Sequence, residues 1–400
     1  MTFTELFKKL LSEVDFCSQE ELALKSTKYW FSLNGSLYVK NTEIYGDCLE
    51  KIYGLNKNIA SRFSQKTVFN FINRKVTKIK RYEGPFPKDI LSFFEPLLSI
   101  KPRDLLVTAP ISGIRLDYGI REFELSIYKF GYLNDLKIPI SNEKGMYIRV
   151  MIKDVFDNEI AISKATNAFF DFARLIVFMS GKQDKSILIS TGLPLRPDLN
   201  HERMYVSTSS YQITDENGTL DSATISNTHL EKVPVNNDFF VKNKYFYKLW
   251  SLNEKKIQGY KLSDIESRLV NSAIALGESA ITPDKRNSII YTCMSLEIMF
   301  SHDEASLFQR SIGEKLSDIF VFIVAKDKDA RLKISKVMKK VYSLRSAIVH
   351  GGNKDLTDEN LIINELMRAA INEILNNDKF KAIKNIGEIY EALKEAQYSY

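Results

Sequence analysis

The sequence predicts an α+β protein in which a mixed α/β amino-terminal region is followed by an all-α helical bundle. A chain of 400 residues is too long for one ordinary core and favours two domains or three. Strand-like and helical stretches mix up to about residue 245, whereas only helical periodicity remains after about residue 253. We therefore expect a sensing or regulatory α+β domain over 1–245, or two subdomains there, and a helical bundle over 250–400.

Composition and termini bear on the compartment. Hydrophobic residues make up 44% and charged residues 26%, which is globular rather than disordered composition. The three cysteines have no pairing spacing, so a reducing compartment fits best. Residues 1–16 form an amphipathic helical pattern without the features of a signal peptide, and no run of about 18 uncharged apolar residues exists. The sequence predicts a cytoplasmic protein with no membrane partner.

The amino-terminal region alternates between two periodicities. Strand-like stretches bounded by Gly and Asn are 30–39, 121–130, 146–156 and about 186–235. A short helix is expected over 88–100, and a longer helix over 164–181 that ends at Gly181. The mixture predicts no single named fold.

The carboxy-terminal region reads as consecutive helices with short connections, which implies a bundle. Helical spacing predicts helices over 261–280, 283–300, 304–324, 328–349 and 357–375, and a final helix over 380–396.

The fourth of these helices carries an arginine on its apolar side. Arg345 projects between Met338 and Val341, inside the apolar stripe rather than on the solvent face. A guanidinium there is costly unless it is paired or faces an anion. The same segment is strongly basic, with eight Lys or Arg against two Asp from Lys326 to His350.

A histidine and a carboxylate complete the candidate site. His350 lies five residues after Arg345, and the glycines that follow it predict that the helix ends there, so that its imidazole can turn back toward Arg345. Glu297 falls on the stripe of Ile290, Cys293 and Met294, and we expect it within salt-bridge reach of Arg345. A structural ion pair and a helix-capping histidine are the alternative interpretation.

The segment YSLRSAIVHGG (342–352), together with MSLEIMF (294–300), resembles the HEPN superfamily, and specifically its ApeA-like branch. That family is marked by an arginine and a histidine separated by four to six residues at the end of a helix, and here four residues separate them. The resemblance covers about residues 260–375. It implies a homodimer in which two motifs meet across the two-fold axis, and RNA cleavage without a metal or other cofactor, by 2′-OH attack that leaves a 2′,3′-cyclic phosphate.

The residue types suit that chemistry. A histidine such as His350 can take or give a proton near neutral pH. Arg345 can hold two phosphate oxygens and stabilise the charge of the transition state, and Glu297 would orient its guanidinium. Active family members often carry Asn or Asp directly after the arginine, whereas this chain has Ser346, which can hydrogen-bond similarly. Further substrate-binding candidates are Asn353, Lys339 and Lys340.

The resemblance also frames the biology. Many HEPN ribonucleases cut tRNA or mRNA as toxins or limit phage infection, so we expect bacterial anti-phage defence by abortive infection. The amino-terminal domain would then sense a phage-derived trigger or gate the site. The first alternative is a non-catalytic HEPN module for dimerisation or RNA binding, and the second is a ligand-sensing regulator whose helices bind a partner protein.

Other motifs are weaker. Residues 71–82 combine five cations with flanking Phe71 and Tyr82, which indicates either an RNA-binding surface or a solvated strand or helix face. The stretch MSGKQDKS (179–186) lacks the upstream glycine and the Ser or Thr of a phosphate loop. Four histidines and three cysteines show no metal-ligand spacing.

Overall fold

Helices and short sheets share the chain, so the predicted α+β class with a helical carboxy-terminal region is confirmed. The computed structural model describes residues 1–16, 30–31, 37–82, 84–136, 145–192, 203–214, 220–302, 312–325, 327–352 and 354–398. The chain divides into two compact units, one of residues 1–107 with 151–165 and one of 108–150 with 166–400. The division into these units does not coincide with the domain boundary expected near residues 245–250. That boundary stays a prediction.

The first unit is largely helical. Its first helix begins with a capping box. The Thr2 side chain accepts the backbone N–H of Glu5, and the Glu5 side chain accepts the backbone N–H of Thr2. Short antiparallel strands pair in the order β1-β3-β2, with Val14 opposite Val39. The elements are α1 (Phe3–Ser12), β1 (Val14–Phe16), β2 (Trp30–Phe31), β3 (Leu37–Val39), α2 (Thr42–Leu55), α3 (Lys57–Arg62), α4 (Gln65–Tyr82) and α5 (Ile90–Leu98).

Three consecutive helices, α2 to α4, occupy a region for which the sequence indicated only a mixed pattern. In α2 the buried residues Tyr45, Cys48, Leu49 and Ile52 follow helical spacing. The basic segment within 71–82 forms the second half of α4, so it is a helix and not a strand. The short helix expected over 88–100 is confirmed as α5.

Beyond α5 the chain first forms strands, most of whose residues belong to the second unit. A five-stranded sheet has the order β6-β7-β8-β4-β9, and two further strand pairs are β10-β11 and β12-β5. The segment 121–130 is a hairpin with Glu122 opposite Gly131 rather than one strand. The Asn217-Gly218 pair, for which the sequence predicts a turn, lies outside the described residues. The strands are β4 (Arg103–Ser112), β5 (Ile114–Arg115), β6 (Glu122–Leu125), β7 (Tyr128–Tyr132), β8 (Met146–Val155), β9 (Ser190–Thr191), β10 (Arg203–Thr214), β11 (Leu220–Glu231) and β12 (Val233–Pro234).

The rest of the chain is helical. The long helix that follows β8 ends before Gly181, as expected, and this glycine has a positive φ of 70°. The helices are α6 (Asn158–Ser180), α7 (Asn237–Lys242), α8 (Tyr247–Ile257), α9 (Asp264–Ile281), α10 (Lys285–Phe300), α11 (Ile312–Val324), α12 (Lys328–Val349), α13 (Glu359–Asn376), α14 (Asp378–Lys381) and α15 (Ile386–Tyr398).

Helix ends follow local capping chemistry. Helix α12 spans the predicted residues because the Asp327 side chain accepts the N–H of Ala330, and because Gly351 adopts a φ of 71° beyond its end. The final helix was predicted to begin at Phe380, which is wrong. The Asn385 side chain accepts the N–H of Glu388 and so starts a new helix, α15, at Ile386.

Buried hydroxyl and amide groups hold α9, α10 and α13 together. Ser272 pairs with Ser295, and Ser279 contacts both Ser288 and Thr292. Asn364 on α13 accepts the Thr292 hydroxyl at 2.7 Å. Small polar residues allow the helix axes to approach closely, and this fixes α10, which carries Glu297. No helix among the described residues has the length and hydropathy needed to cross a membrane.

Candidate active site at the end of helix α12

An open groove of about 460 Å³ lies at the carboxyl end of α12. Ser343, Ser346, Ala347 and His350 reach it from one side of the helix, because positions i, i+3, i+4 and i+7 share a face. Lys354 and Gly352 close it from the segment beyond the helix end. The groove therefore combines hydroxyl groups, an ammonium group and an imidazole.

His350 is the residue at which α12 stops. Its backbone has a φ of −96° and its N–H donates to the carbonyls of Ser346 and Ile348. The side chain is exposed and lines the groove. The helix end is thus maintained by the backbone of His350, and the imidazole remains available to a ligand.

Arg345 pairs with Glu297, as the sequence predicted. One guanidinium nitrogen, Nη2, lies 3.2 Å from Glu297 Oε1 and donates a long hydrogen bond of 3.5 Å to Oε2. The two side chains are 39% and 27% exposed, so the pair sits at the edge of the bundle rather than in its core. Glu297 was expected on an inward stripe with Met294, but Met294 is exposed because α10 buries the neighbouring face that carries Cys293 and Leu296.

The expected convergence of Arg345 and His350 is not found within one chain. Arg345 is not among the residues that line the groove. Five residues along a helix correspond to a rotation of about 140°, which directs the two side chains to different sides of α12. One copy of the protein therefore presents the imidazole in the groove and the guanidinium beside Glu297.

A buried thiol and a buried phenol lie against the ion pair. Burial, and secondarily the Glu297 carboxylate, raises the pKa of Cys293 to about 12. Burial also raises the pKa of Tyr342 well above its usual range. Tyr342 Oη and Glu297 Oε1 are both buried without a hydrogen-bond partner among the described residues. Arg345 is thus held beside the Glu297 carboxylate, the buried Cys293 thiol and the buried Tyr342 hydroxyl.

The remaining candidates are dispersed. Lys339 is exposed on α12, and Lys340 is paired with Glu359 at 3.0 Å. A hydrogen bond from Thr357, and secondarily Lys340, lowers the pKa of Glu359 to about 2. Neither lysine lines the groove, and Asn353 lies outside the described residues.

Two groove residues were not identified from the sequence. Ser343 lies three residues before Ser346 and seven before His350, so helical spacing alone could have found it. Lys354 donates a hydrogen bond to the Ser343 hydroxyl, which brings its ammonium group over the helix end. Its position depends on the turn at Gly351, where φ is 71°, and no local pattern in the sequence predicts where that turn directs the side chain.

No group of three or more His, Cys, Asp or Glu side chains in the described part of the chain is arranged to hold a metal ion. Comparison with protein-family models, with curated proteins and with solved structures found no match to this chain.

Proposed function

We propose that this protein is a HEPN-type endoribonuclease that cleaves RNA without a metal and leaves a 2′,3′-cyclic phosphate. The observation that carries the proposal is the groove in which His350 stands beside Ser346, Ser343 and Lys354. Its volume of about 460 Å³ is within the usual range of small-ligand sites, about 300–1,000 Å³, so a nucleotide can enter it.

The groove residues supply the parts that the reaction needs. A neutral imidazole at His350 accepts the proton of the ribose 2′-OH while O2′ attacks the adjacent phosphorus. The bond from phosphorus to O5′ breaks, and O5′ takes a proton from water as it leaves. Lys354 offsets the charge that builds on the phosphate oxygens, and the serine hydroxyls donate hydrogen bonds to them.

Arg345 enters the reaction through a second copy of the chain. Its helix face also carries Val349, which is 54% exposed, and the facing helix carries Met294, which is 42% exposed. Exposed apolar side chains around an arginine resemble the composition of protein interfaces. We propose that a two-fold homodimer covers this face and brings Arg345 of each protomer toward the partner's groove, with Glu297 orienting the guanidinium.

The biological part of the proposal rests on the resemblance alone. It comprises a cytoplasmic role in bacterial anti-phage defence, tRNA or mRNA as the substrate, and a phage-derived trigger acting on the amino-terminal region. Lys339, Lys340 and Asn353 remain proposed contacts to RNA.

Incubation of the purified full-length protein with total tRNA in EDTA tests the reaction. We expect 2′,3′-cyclic phosphate ends, and loss of cleavage in His350→Ala. His302→Ala is the matched control, because His302 packs on the ring of Tyr390 and does not line the groove. Loss of cleavage on chelation, or equal cleavage by His350→Ala and wild type, contradicts the proposal.

The placement of Arg345 favours a second candidate function, a non-catalytic dimerisation or RNA-binding module. In that case Arg345 and Glu297 only stabilise the bundle or its dimer interface. The second function predicts a wild-type protein that dimerises or binds RNA without cutting it. Sedimentation of Arg345→Ala and the cleavage assay of wild type together separate the two functions. Loss of the dimer in the variant, with no cleavage by wild type, supports the module.

A further inference from the structure

Helix α4 of the first unit is basic, and most of its positive charge lies in its second half. Its 18 residues include six Lys or Arg and no Asp or Glu. The apolar residues Val68, Ile72 and Val76 are buried in the core of this unit, so the cations occupy the outer side of the helix.

Two ordinary explanations account for half of these charges. Lys66 is paired with Glu159 at 2.8 Å. Lys80 and Arg81 lie in the last turn, where positive charge is favoured by the helix dipole. Neither explanation applies to Arg74, Lys75 and Lys78, which lie in the second half of the helix, before its last turn.

These three residues have no anionic partner within the part of the chain that the structure describes, where no carboxylate lies within ion-pair distance of any of them. Lys75 only places its ammonium group 5.5 Å from the ring of Phe71. Arg74 and Lys78 are exposed and four residues apart, and like charges at that spacing destabilise a helix. A polyanion bound at this face would relieve that repulsion.

The row formed by Arg74, Lys78 and Tyr82 extends the face. Each residue is four positions after the previous one, so the three share one side of α4 over about 12 Å. Tyr82 is 73% exposed and offers its ring for stacking. Cations that follow a phosphate backbone, next to an aromatic ring that stacks on an unpaired base, are the features of single-strand binding.

We infer that the outer face of α4 binds single-stranded RNA. The electrostatic part of the inference is independent of the groove at α12, whereas the choice of RNA rests on the proposed function. An anionic membrane fits less well, because the apolar side of α4 is buried and leaves no face to insert between lipids.

Fluorescence anisotropy with a labelled single-stranded RNA, measured over a range of salt, tests the inference. Full-length His350→Ala is the parent protein, so that cleavage does not change the probe. The triple variant Arg74→Gln, Lys75→Gln, Lys78→Gln is compared with a control, Lys51→Gln, Lys57→Gln, Lys88→Gln, which removes three exposed lysine charges of the same unit. We expect the triple variant to bind roughly tenfold more weakly or worse, with a salt slope lower by about 2, and the control to stay within about twofold of the parent.

The stacking role has its own test. Tyr82→Ala should weaken binding of single-stranded RNA by roughly fivefold or more and leave duplex RNA unaffected. Tyr260→Ala, which removes another exposed tyrosine, should change neither. Equal thermal unfolding of all variants establishes that they are folded.

Three results overturn the inference: equal binding by the triple variant and its control, tighter binding of phosphatidylserine vesicles than of RNA, or equal loss of single-stranded and duplex binding in Tyr82→Ala. Failure of the proposed function looks different. If wild type binds RNA through α4 but cuts none, the ribonuclease proposal fails and the α4 surface stands.

Discussion

Arg345 on α12 and Glu297 on α10 join two helices through a contact of 3.2 Å between residues 48 positions apart. The pair is only partly hydrogen-bonded, because Glu297 Oε1 is buried without an aligned donor among the described residues. Buried polar atoms are nearly always hydrogen-bonded, so Glu297 Oε1 is an exception. The pair lies on an exposed apolar face rather than in the groove, so substitutions at Arg345 and at His350 should have different effects.

Arg345→Ala and His350→Ala should separate stability from chemistry. Loss of Arg345 leaves the Glu297 carboxylate unpaired and should lower the free energy of unfolding by about 1 kcal/mol, a modest value because the pair is partly exposed. His350 is exposed and acts in the fold through its backbone, so His350→Ala should stay within about 0.5 kcal/mol of wild type. Urea unfolding monitored by circular dichroism measures both. A destabilised His350→Ala would favour a structural role for the imidazole.

Alkaline pH should weaken the fold through Cys293. Its pKa is about 12 in the native state and about 8.5 in an unfolded chain. Between these values the unfolded chain releases the thiol proton and the native protein keeps it. Stability is therefore fully present below about pH 8.5 and falls as pH rises toward 12, by up to about 1.4 kcal/mol per pH unit.

Cys293→Ala removes this contribution and leaves the other titrating groups in place. Urea midpoints at pH 7, 9 and 10 should fall less steeply in the variant than in wild type. Parallel midpoints over this range would show that the thiol does not keep its proton in the native protein.

Gly277 allows α9 to approach α6. A Cβ atom at this position would lie 2.1 Å from the carbonyl oxygen of Arg174, a backbone atom that cannot move aside without displacing α6. Gly277→Ala should therefore cost about 3 kcal/mol or more, seen as a lower urea midpoint. Gly46→Ala is the matched control, since Gly46 lies inside α2 and an added Cβ would have no atom of another described element within 4 Å. That change should be neutral or stabilise by up to about 1 kcal/mol, and a similar loss in both variants would refute the close-packing argument.

Asn364 is the junction of the buried polar network. Its amide donates to Gln183 Oε1 at 3.0 Å and to Ser279 Oγ at 3.2 Å, and its oxygen accepts the Thr292 hydroxyl. Asn364→Ala leaves these groups short of partners and should cost about 2–3 kcal/mol. Asn376→Ala, at the exposed end of the same helix, should cost less than about 0.5 kcal/mol. Equal unfolding midpoints for the two would mean that the network adds no stability.

Much of the helical region could be predicted because its signals are local. The limits of α12 follow from the Asp327 cap and the glycines after His350, and both can be found within one turn of the helix end. The start of α15 was misplaced because a second helix cap, Asn385, falls inside a stretch that is helical on both sides. Helix α2 was missed although its buried residues have helical spacing, because neighbouring strand-like stretches obscured the pattern.

The candidate site was predictable only in part. The pairing of Glu297 with Arg345 followed from placing two charges on the inward sides of two helices. Ser343 could have been found from its helical spacing to Ser346 and His350. Lys354 could not, since its ammonium group reaches Ser343 through a contact at the helix end that no local pattern predicts.

The sequence by itself determined most helices of the carboxy-terminal region, where α12 ends and which residue types stand at that end, because periodicity and capping act over a few neighbouring residues. Tertiary structure decided that His350 faces a groove with Lys354 while Arg345 faces Glu297. That choice depends on which faces of α10 and α12 are buried against each other, and on a turn beyond the helix, and both are set by contacts between residues distant in the chain.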